Sequence, residues 1–371
     1  MNIKTIIAVF FCVLIISYSS GQSKARVEDK IQIALLLDVS GSMDNLLSQA
    51  KGQIWRMVNE LSKAQKNNQK PIIQIALGTF GNGAFGENGY FHLYTPLTSD
   101  IDSISENLYS LTTGGNLEYC GFAINFALDS LAWSKNKNDL KLIFIAGNEP
   151  FNQGSIDYIS TCKKAVKKNI LVNTIYCGDE KAGIKDLWED GAKTARGKYM
   201  VINQDSLIKY GETFWDKKII EYNDKLNKTY IPYGLEGEKW FQRLLKQDEN
   251  VLSFGNAFMR ERVVYKASNN YQNILWDLVD AYMNDSTILN KIKLNDLPDK
   301  MKSMTTEKKK QYLEQKNTER ELYKEGINTY YIKAQEFIKT STGNEDASVT
   351  LDNAIIKTII EQATKKDFIF R

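Results

Sequence analysis

The strongest constraint on the fold is a buried strand that ends in a group of oxygen-bearing side chains. Residues 31–37 form a near-continuous apolar run, as expected for a parallel strand covered on both faces. The run ends in D-V-S-G-S at positions 38–42, and a pattern with apolar residues spaced by three and four follows, which predicts a helix. Asp38, Ser40 and Ser42 therefore share one strand-to-helix turn. Carboxylate and hydroxyl oxygens are hard donors, which suit Mg²⁺ or Ca²⁺ and not a soft thiolate metal.

Strand and helix patterns alternate from about residue 31 to residue 203. This alternation predicts an α/β fold with a doubly wound, mostly parallel, six-stranded sheet. The second and third strands are joined by a short glycine-rich turn, so the third strand is expected to be an antiparallel edge strand. The predicted strands are residues 31–37, 72–80, 90–95, 140–146, 170–177 and 198–203.

The character of the chain changes at about residue 205. Strand patterns disappear, Lys, Glu and Gln become more frequent, and helical patterns continue to the end. Thr305 is a candidate cap for a long helix that runs towards Lys339. Inside it lies a short heptad register of apolar residues, at Tyr323, Ile327, Tyr330, Ala334 and Phe337. We therefore predict a signal peptide at 1–22, an α/β domain at 29–204 and an all-helical C-terminal domain at 205–371.

The N-terminus has the pattern of a secretory signal peptide. Lys4 supplies a positive charge, residues 6–16 are apolar and uncharged, and residues 17–22 are small and polar. No small residue directly precedes Cys12, so soluble export is favoured over a lipid anchor. We expect a periplasmic, cell-surface or secreted protein with no integral membrane segment in the mature chain.

Composition and motifs argue against nucleic-acid binding and catalysis. The chain of 371 residues has 48 basic and 45 acidic residues, which gives a net charge of +3 and no strong field. The G-x-G-x-x-G match at 81–86 is followed by a strand pattern and not by the helix that a dinucleotide site needs. His92 is the only histidine of the chain and lies on a predicted edge strand, which makes it a poor base for a serine nucleophile. The sequence predicts no enzyme.

The D-x-S-x-S turn closely resembles the metal-ion-dependent adhesion site (MIDAS) of von Willebrand factor type A (VWA) domains. A doubly wound sheet with one antiparallel edge strand is also the architecture of that family. Residues 144–151 and 172–179 look like an uncharacterised group of exported bacterial type A proteins, and the tail from residue 233 resembles the tail of that group.

The resemblance implies that three loops converge on one divalent cation, with Mg²⁺ the expected ion and Ca²⁺ or Mn²⁺ the alternatives. The first loop matches the family pattern. The second loop has Gly114-Gly115 but lacks the threonine that usually follows, and the third loop lacks the usual aspartate. Because an amide removes a formal charge, such replacements should weaken binding of a hard cation. The implied ligands are Asp38, Ser40, Ser42, Asn116 and Asn148, with Thr113, Glu118 and Glu149 as alternatives.

For function, the resemblance implies an exported, non-enzymatic binding or adhesion protein. Its metal would engage an acidic group, Asp or Glu, on a protein partner. The alternative is a structural cell-envelope scaffold in which the VWA domain is degenerate and free of metal. Dependence on divalent ions separates the two.

Three cysteines remain once the predicted signal peptide is removed. Since an exported protein meets oxidising conditions, one disulfide and one free thiol are expected. Cys162–Cys177 is the preferred pair and Cys120–Cys177 the rival, while three buried reduced thiols remain a third possibility.

Overall fold

The computed structural model describes residues 28–86, 90–203, 211–341 and 350–370. The predicted signal peptide lies outside these ranges. Within them, no helix combines the length and the apolar character that crossing a membrane would require.

A six-stranded sheet forms the centre of the N-terminal half. Its strand order is β4-β3-β1-β5-β6-β7, and every neighbouring pair is parallel except β3 and β4. The predicted α/β fold with an antiparallel edge strand is confirmed. The strands of this half are β1 (Lys30–Asp38), the outlying β2 (Ala64–Gln65), β3 (Ile72–Phe80), β4 (Phe91–Thr98), β5 (Leu140–Gly147), β6 (Leu171–Cys177) and β7 (Arg196–Ile202).

Helices cover the sheet and make up most of the described chain after residue 211. Those of the first half are α1 (Asp44–Ser62), α2 (Ile101–Ser110), α3 (Cys120–Ser130), α4 (Tyr158–Lys167), α5 (Glu180–Lys185) and α6 (Trp188–Thr194). Those of the second half are α7 (Phe214–Asn227), α8 (Gly237–Leu252), α9 (Asn256–Ala267), α10 (Leu278–Asn284), α11 (Ile288–Lys291), α12 (Asp299–Lys302), α13 (Thr306–Ser341) and α14 (Leu351–Thr364).

The two faces of β1 belong to two different cores because successive strand residues point in opposite directions. Ile33 and Leu35 pack into a cluster with α1 and α2, which continues into the C-terminal helices. Ala34 and Leu36 pack into a second cluster with α3, α4 and α6. This double burial explains why the strand reads as an almost unbroken apolar run.

The end of the chain returns to the sheet. Helix α14 packs on α1 and also contacts β5 and β7. A strand that the sequence patterns did not predict, β8 (Ile369–Phe370), pairs antiparallel with β2. Residues 351–370 thus complete the helical layer on one face of the sheet. The division of the chain at residue 204 remains a prediction.

The long helix predicted after Thr305 is present as α13. The hydroxyl of Thr305 accepts a hydrogen bond from the backbone N–H of Lys308 at 3.3 Å, as an N-cap does. Ile327 and Ala334 of the predicted heptad are fully buried, but Phe337 is 51% exposed. The apolar seam therefore ends before the last turn of the helix.

The helical sequence pattern at 184–194, which predicts one helix, falls on parts of two helices, α5 and α6. Leu187 between them has φ +70, in the left-handed region, which breaks the helical path. The break buries Trp188 completely, and its indole N–H donates to the carbonyl oxygen of Glu149 at 2.7 Å. This contact anchors the loop that follows β5.

Candidate metal centre

The candidate site lies where the winding direction of the sheet reverses. Strand β1 leads to α1 on one face, whereas its neighbour β5 leads to α4 on the other face. Ligands of doubly wound folds bind in the crevice that this reversal opens at the carboxyl ends of the strands. Asp38 is the last residue of β1, and Asn148 directly follows β5. Topology alone therefore brings the first and third predicted loops together.

Asp38 is the buried centre of the first loop. Its side chain is 0% exposed, and its Oδ1 accepts a hydrogen bond from the backbone N–H of Ser40 at 2.7 Å. Its second oxygen, Oδ2, is buried and has no hydrogen-bond partner. The hydroxyl oxygens of Ser40 and Ser42 are 3.4 Å apart. The three predicted first-loop residues therefore face one common space.

Backbone hydrogen bonds hold the second loop against the first. The N–H of Gly114 donates to the carbonyl of Val39 at 2.8 Å, and the N–H of Gly41 donates to the carbonyl of Gly115 at 3.1 Å. Gly115 has φ +95, and a Cβ there would lie 2.4 Å from the backbone N of Gly83. Only glycine fits this conformation and this contact. The glycine pair therefore allows the second loop to pack closely against its neighbours.

The structure distinguishes between the three second-loop candidates. Glu118 is 3% exposed and lies beside Asp38 and Ser40, and its Oε2 is buried without a hydrogen-bond partner. Asn116 is exposed. The hydroxyl of Thr113 donates to Asp44 at the start of α1. Of the three, Glu118 is the one placed against the first loop.

The third loop brings Asn148 to the serines. Its Nδ2 donates to the hydroxyl oxygen of Ser42 at 3.2 Å, and its Oδ1 is buried without a partner. The carboxylate of Glu149 accepts from Nε2 of Gln153 at 3.4 Å. Oε1 of the same Gln153 accepts from the backbone N–H of Glu118 at 3.3 Å. Gln153 thus ties the second loop to the third, and no motif in the sequence pointed to it.

Glycines form the floor under Asp38. A Cβ on Gly81 would lie 2.6 Å from Asp38 Oδ1 and 3.2 Å from Cγ of Glu118, and Gly81 has φ +94. A Cβ on Gly147 would lie 3.0 Å from Asp38 Oδ2. Gly81, which the sequence marks only as a turn glycine, therefore also makes room for both carboxylates.

Ionising both carboxyl groups at once is electrostatically unfavourable in this buried site. Burial raises the pKa of Asp38 to about 6, against the hydrogen bonds from Ser40. Burial and the charge of Asp38 together raise the pKa of Glu118 to about 8. No Lys or Arg within the described ranges forms an ion pair with either group. With a pKa of about 8, Glu118 holds a proton at neutral pH, so the pair avoids two buried like charges there. A divalent cation between the two carboxyl groups would take the place of that proton and allow both to ionise.

The available donors fit a hard divalent cation. They comprise two carboxylates, two hydroxyls and an amide oxygen, which is oxygen chemistry of the kind that Mg²⁺ and Ca²⁺ select. In the described part of the chain, no three or more His, Cys, Asp or Glu side chains are grouped closely enough to hold a metal ion among themselves. The donors gathered here are carboxylate, hydroxyl and amide oxygens. The unpartnered atoms are Asp38 Oδ2, Glu118 Oε2 and Asn148 Oδ1.

The predicted Cys162–Cys177 disulfide is not formed. Cys120, Cys162 and Cys177 are all buried free thiols. Cys162 packs in the cluster with α3 and α4, whereas Cys177 packs in the cluster with α1, on the other side of the sheet. Because β6 lies between the two side chains, they do not meet. Burial raises the pKa of all three thiols, which disfavours the reactive thiolate.

Comparison with known proteins finds similarity to solved structures only, and one of these is a VWA domain. No protein-family model and no curated protein matches the chain. Among solved structures, BatB, a conserved hypothetical protein from Bacteroides thetaiotaomicron, is 20% identical, with 46% of this chain and 90% of that chain covered and a TM-score of 0.36. The VWA domain of SpRpn10 is 22% identical, with 46% and 86% covered and a TM-score of 0.34.

A third similar structure is proximal thread matrix protein 1 from the mussel byssus, with a zinc-occupied MIDAS motif. It is 16% identical, with 52% of this chain and 44% of that chain covered and a TM-score of 0.37. At these identities and scores, the similar structures carry no information on the function of this chain. Function is therefore inferred from the geometry of the site.

Proposed function

We propose that this chain is an exported, non-enzymatic binding protein of the VWA type that engages its partner through a divalent cation. The observation that carries the proposal is the pair of buried, unpaired carboxylate oxygens of Asp38 and Glu118 beside the Ser40 hydroxyl. A divalent cation would neutralise both carboxylates and satisfy their free oxygens.

The proposed ligands come from three loops. They are Asp38, Ser40, Ser42, Glu118 and Asn148. Bound there, Mg²⁺ would offer an open coordination position to a carboxylate, so the partner is a protein that presents Asp or Glu. Ca²⁺ and Mn²⁺ remain alternatives because they accept the same oxygen donors.

The proposal omits three residues of the predicted set. Asn116 is exposed, and Thr113 is bonded to Asp44. Glu149 is bonded to Gln153 and is the weakest of the groups that perturb the pKa of Asp38. These contacts leave Glu118 as the residue that restores the negative charge lost where Asn148 replaces an aspartate.

The proposal of a binding protein and not an enzyme is supported by the surroundings of His92. Its ring is exposed on β4 and stacks on Phe85, with ring centroids 5.3 Å apart.

The export proposed for the chain is supported by the signal-peptide pattern at 1–22. A periplasmic, cell-surface or secreted location is compatible with that pattern.

A structural envelope scaffold is the second candidate function. It is favoured by the amide of Asn148, whose Nδ2 and not its oxygen faces Ser42. In that case the VWA-type layer would hold no metal, and the C-terminal helices would make the contacts. Metal dependence decides between the two candidates.

The deciding experiment is a calorimetric titration of the metal-free mature chain with Mg²⁺ and Mn²⁺. We expect saturable binding that Asp38→Ala abolishes. Asp299→Ala is the matched control, because the side chain of Asp299 is 95% exposed on α12. Absence of binding up to millimolar metal would favour the scaffold, and equal binding by Asp38→Ala would place the metal elsewhere.

A second pair of variants tests which acidic residue belongs to the site. Glu118→Gln keeps the shape but removes one charge, so metal affinity should fall by about tenfold or more. Glu149→Gln should change the affinity by less than about threefold, because that carboxylate already has a partner in Gln153. The reverse order would assign the second carboxylate of the site to Glu149.

A further inference from the structure

A lysine-lined cleft lies at the amino ends of the sheet strands, at the opposite end from the metal site. It has a volume of about 420 Å³ and is enclosed by the carboxyl ends of α3 and α4 and the amino ends of β5 and β6. Its charged lining residues are Lys135, Lys137, Lys141, Lys167, Lys168 and Asp129. Five cations therefore face one carboxylate, a much stronger local imbalance than the net charge of +3 for the whole chain.

The charge of one of these lysines already has partners at the end of α3. Lys168 pairs with Asp129 at 3.2 Å and donates to the carbonyl of Leu128 at 2.7 Å, which caps the end of α3. Lys135, Lys137 and Lys167 are exposed, and their ammonium groups form no ion pair with any described residue. Three charges at the mouth of the cleft are thus free to meet an anion.

Lys141 supplies the buried charge of the cleft. It is 4% exposed, and its Nζ donates to the carbonyls of Ser134 at 2.9 Å and Lys168 at 3.2 Å. No described carboxylate pairs with it, and burial together with Lys366 lowers its pKa, against the opposing effect of Asp139. A buried cation that no ion pair compensates is costly. An anion bound in the cleft would supply a counter-ion.

The rest of the lining is largely apolar. Leu128, Leu131 and Ile170 line the cleft together with Trp133, which is half-buried. The indole N–H of Trp133 already donates to the carbonyl of Ala127 at 2.9 Å, so only its ring surface remains for a ligand. The cleft therefore combines several ammonium donors with an apolar wall, and its volume lies within the usual range for ligand sites.

We propose that this cleft binds phosphate groups. A phosphate carries up to two charges on three acceptor oxygens, so it can pair with several ammonium groups at once, which a single carboxylate does less well. The group could belong to a small phosphorylated molecule or to a lipid head group. The site is independent of the metal proposed above, because the metal site lies at the carboxyl ends of the strands and the cleft lies at their amino ends.

Inorganic pyrophosphate is the first probe, titrated calorimetrically into the mature chain in metal-free buffer. The test variant is the triple substitution Lys135→Gln, Lys137→Gln and Lys167→Gln. Its control is Lys308→Gln, Lys309→Gln and Lys310→Gln at the start of α13, which changes the net charge equally. We expect the affinity to fall by about tenfold or more in the cleft variant and by less than about twofold in the control. Thermal unfolding checks that both variants are folded.

Vesicles of phosphatidylcholine with and without phosphatidylglycerol are the second probe, in a sedimentation assay. Binding of pyrophosphate alone would identify a free phosphorylated ligand. Sedimentation only with phosphatidylglycerol vesicles, lost in the cleft variant, would identify a head group. The proposal is overturned if neither probe binds, or if the cleft and control variants weaken binding equally, since that would show attraction by net charge only.

Discussion

Gly81 occupies a position where a side chain would disturb the candidate metal site. Its φ of +94 disfavours any L-residue with a Cβ, and that Cβ would lie 2.6 Å from Asp38 Oδ1 and 3.2 Å from the N of Ser40. We expect Gly81→Ala to lower the free energy of unfolding by about 1–3 kcal/mol and to weaken Mn²⁺ binding, because Asp38 must move. Urea denaturation and a Mn²⁺ titration measure the two effects.

Gly83→Ala is the control in the same turn. No atom lies within 4 Å of the Cβ that would be added there. Its effect on stability should stay within about 0.5 kcal/mol. Similar losses in both variants would mean that the turn, and not contact with Asp38, is what the substitution disturbs.

Single residues of the site differ in how far the sequence determines them. Asp38, Ser40 and Ser42 fall within five consecutive positions after a clear strand, so local spacing is enough to group them. Glu118 could not be chosen over its neighbours, because which side chain turns inward depends on the path of the loop at Gly115. Gln153 could not be found at all, since its two bonds join loops that only the fold brings together.

The contact between α7 and α13 depends on a glycine that a helix would normally disfavour. A Cβ on Gly326 of α13 would lie 2.1 Å from Cε1 of Tyr222 on α7. Alanine would favour the helix by about 1 kcal/mol, but it would force the two helices apart. We expect Gly326→Ala to destabilise the chain by about 1–3 kcal/mol in chemical denaturation.

A Tyr222→Ala background separates the two effects. Without the ring, Gly326→Ala should become neutral or stabilising, and a double-mutant cycle measures the coupling. If the coupling energy is close to zero, the close approach of the two helices does not explain the glycine.

Elements with strong periodicity were predictable, and the breaks between them were less so. The parallel strands and α13 were predicted because burial imposes a period on their apolar residues. The break at Leu187 and the short strand β8 have no such period. Both coincide with contacts between residues distant in sequence: Trp188 donates to the carbonyl of Glu149, and residues 369–370 pair with β2.

A buried charge cluster joins the α/β layer to the C-terminal helices. Arg262 of α9 donates to Asp102 of α2 at 2.6 Å and to Asp248 of α8 at 2.5 Å. Lys266 donates to the same Asp248 at 2.7 Å. Although burial opposes its charge, Lys266 and Arg262 hold the pKa of Asp248 below its ordinary value.

The cluster predicts loss of stability in acid. Since the folded-state pKa of Asp248 is lowered, its contribution is present above the unfolded pKa of about 4 and declines as pH falls below it. Asp248→Asn should cost about 3–5 kcal/mol near neutral pH and flatten the acid limb of the stability curve. Denaturation between about pH 3 and about pH 7, a range that spans the unfolded pKa, measures both. Asp224→Asn, at an exposed position on α7, should leave the curve unchanged.

The predicted domain at 29–204 can be tested as an isolated fragment. In the full chain, Trp55 of α1 is fully buried, with its ring centroid 5.6 Å from that of Tyr265 on α9. A fragment ending at residue 204 would expose this surface and lack α14. We expect it to bind a hydrophobic dye and to unfold at a lower temperature than residues 29–371. Cooperative unfolding without dye binding would instead support an independent domain.

The packing of α14 on α1 also sets a condition on biosynthesis. Strand β1 and helix α1 leave the ribosome early, but α14, which completes their layer, begins only about 290 residues after α1 ends. Until then, α1 and α2 can cover only part of that face of the sheet, and contacts this distant in sequence form slowly. A chain that completes its folding so late would still be unfolded enough to pass through a translocation channel. Late folding is therefore compatible with the export proposed for it.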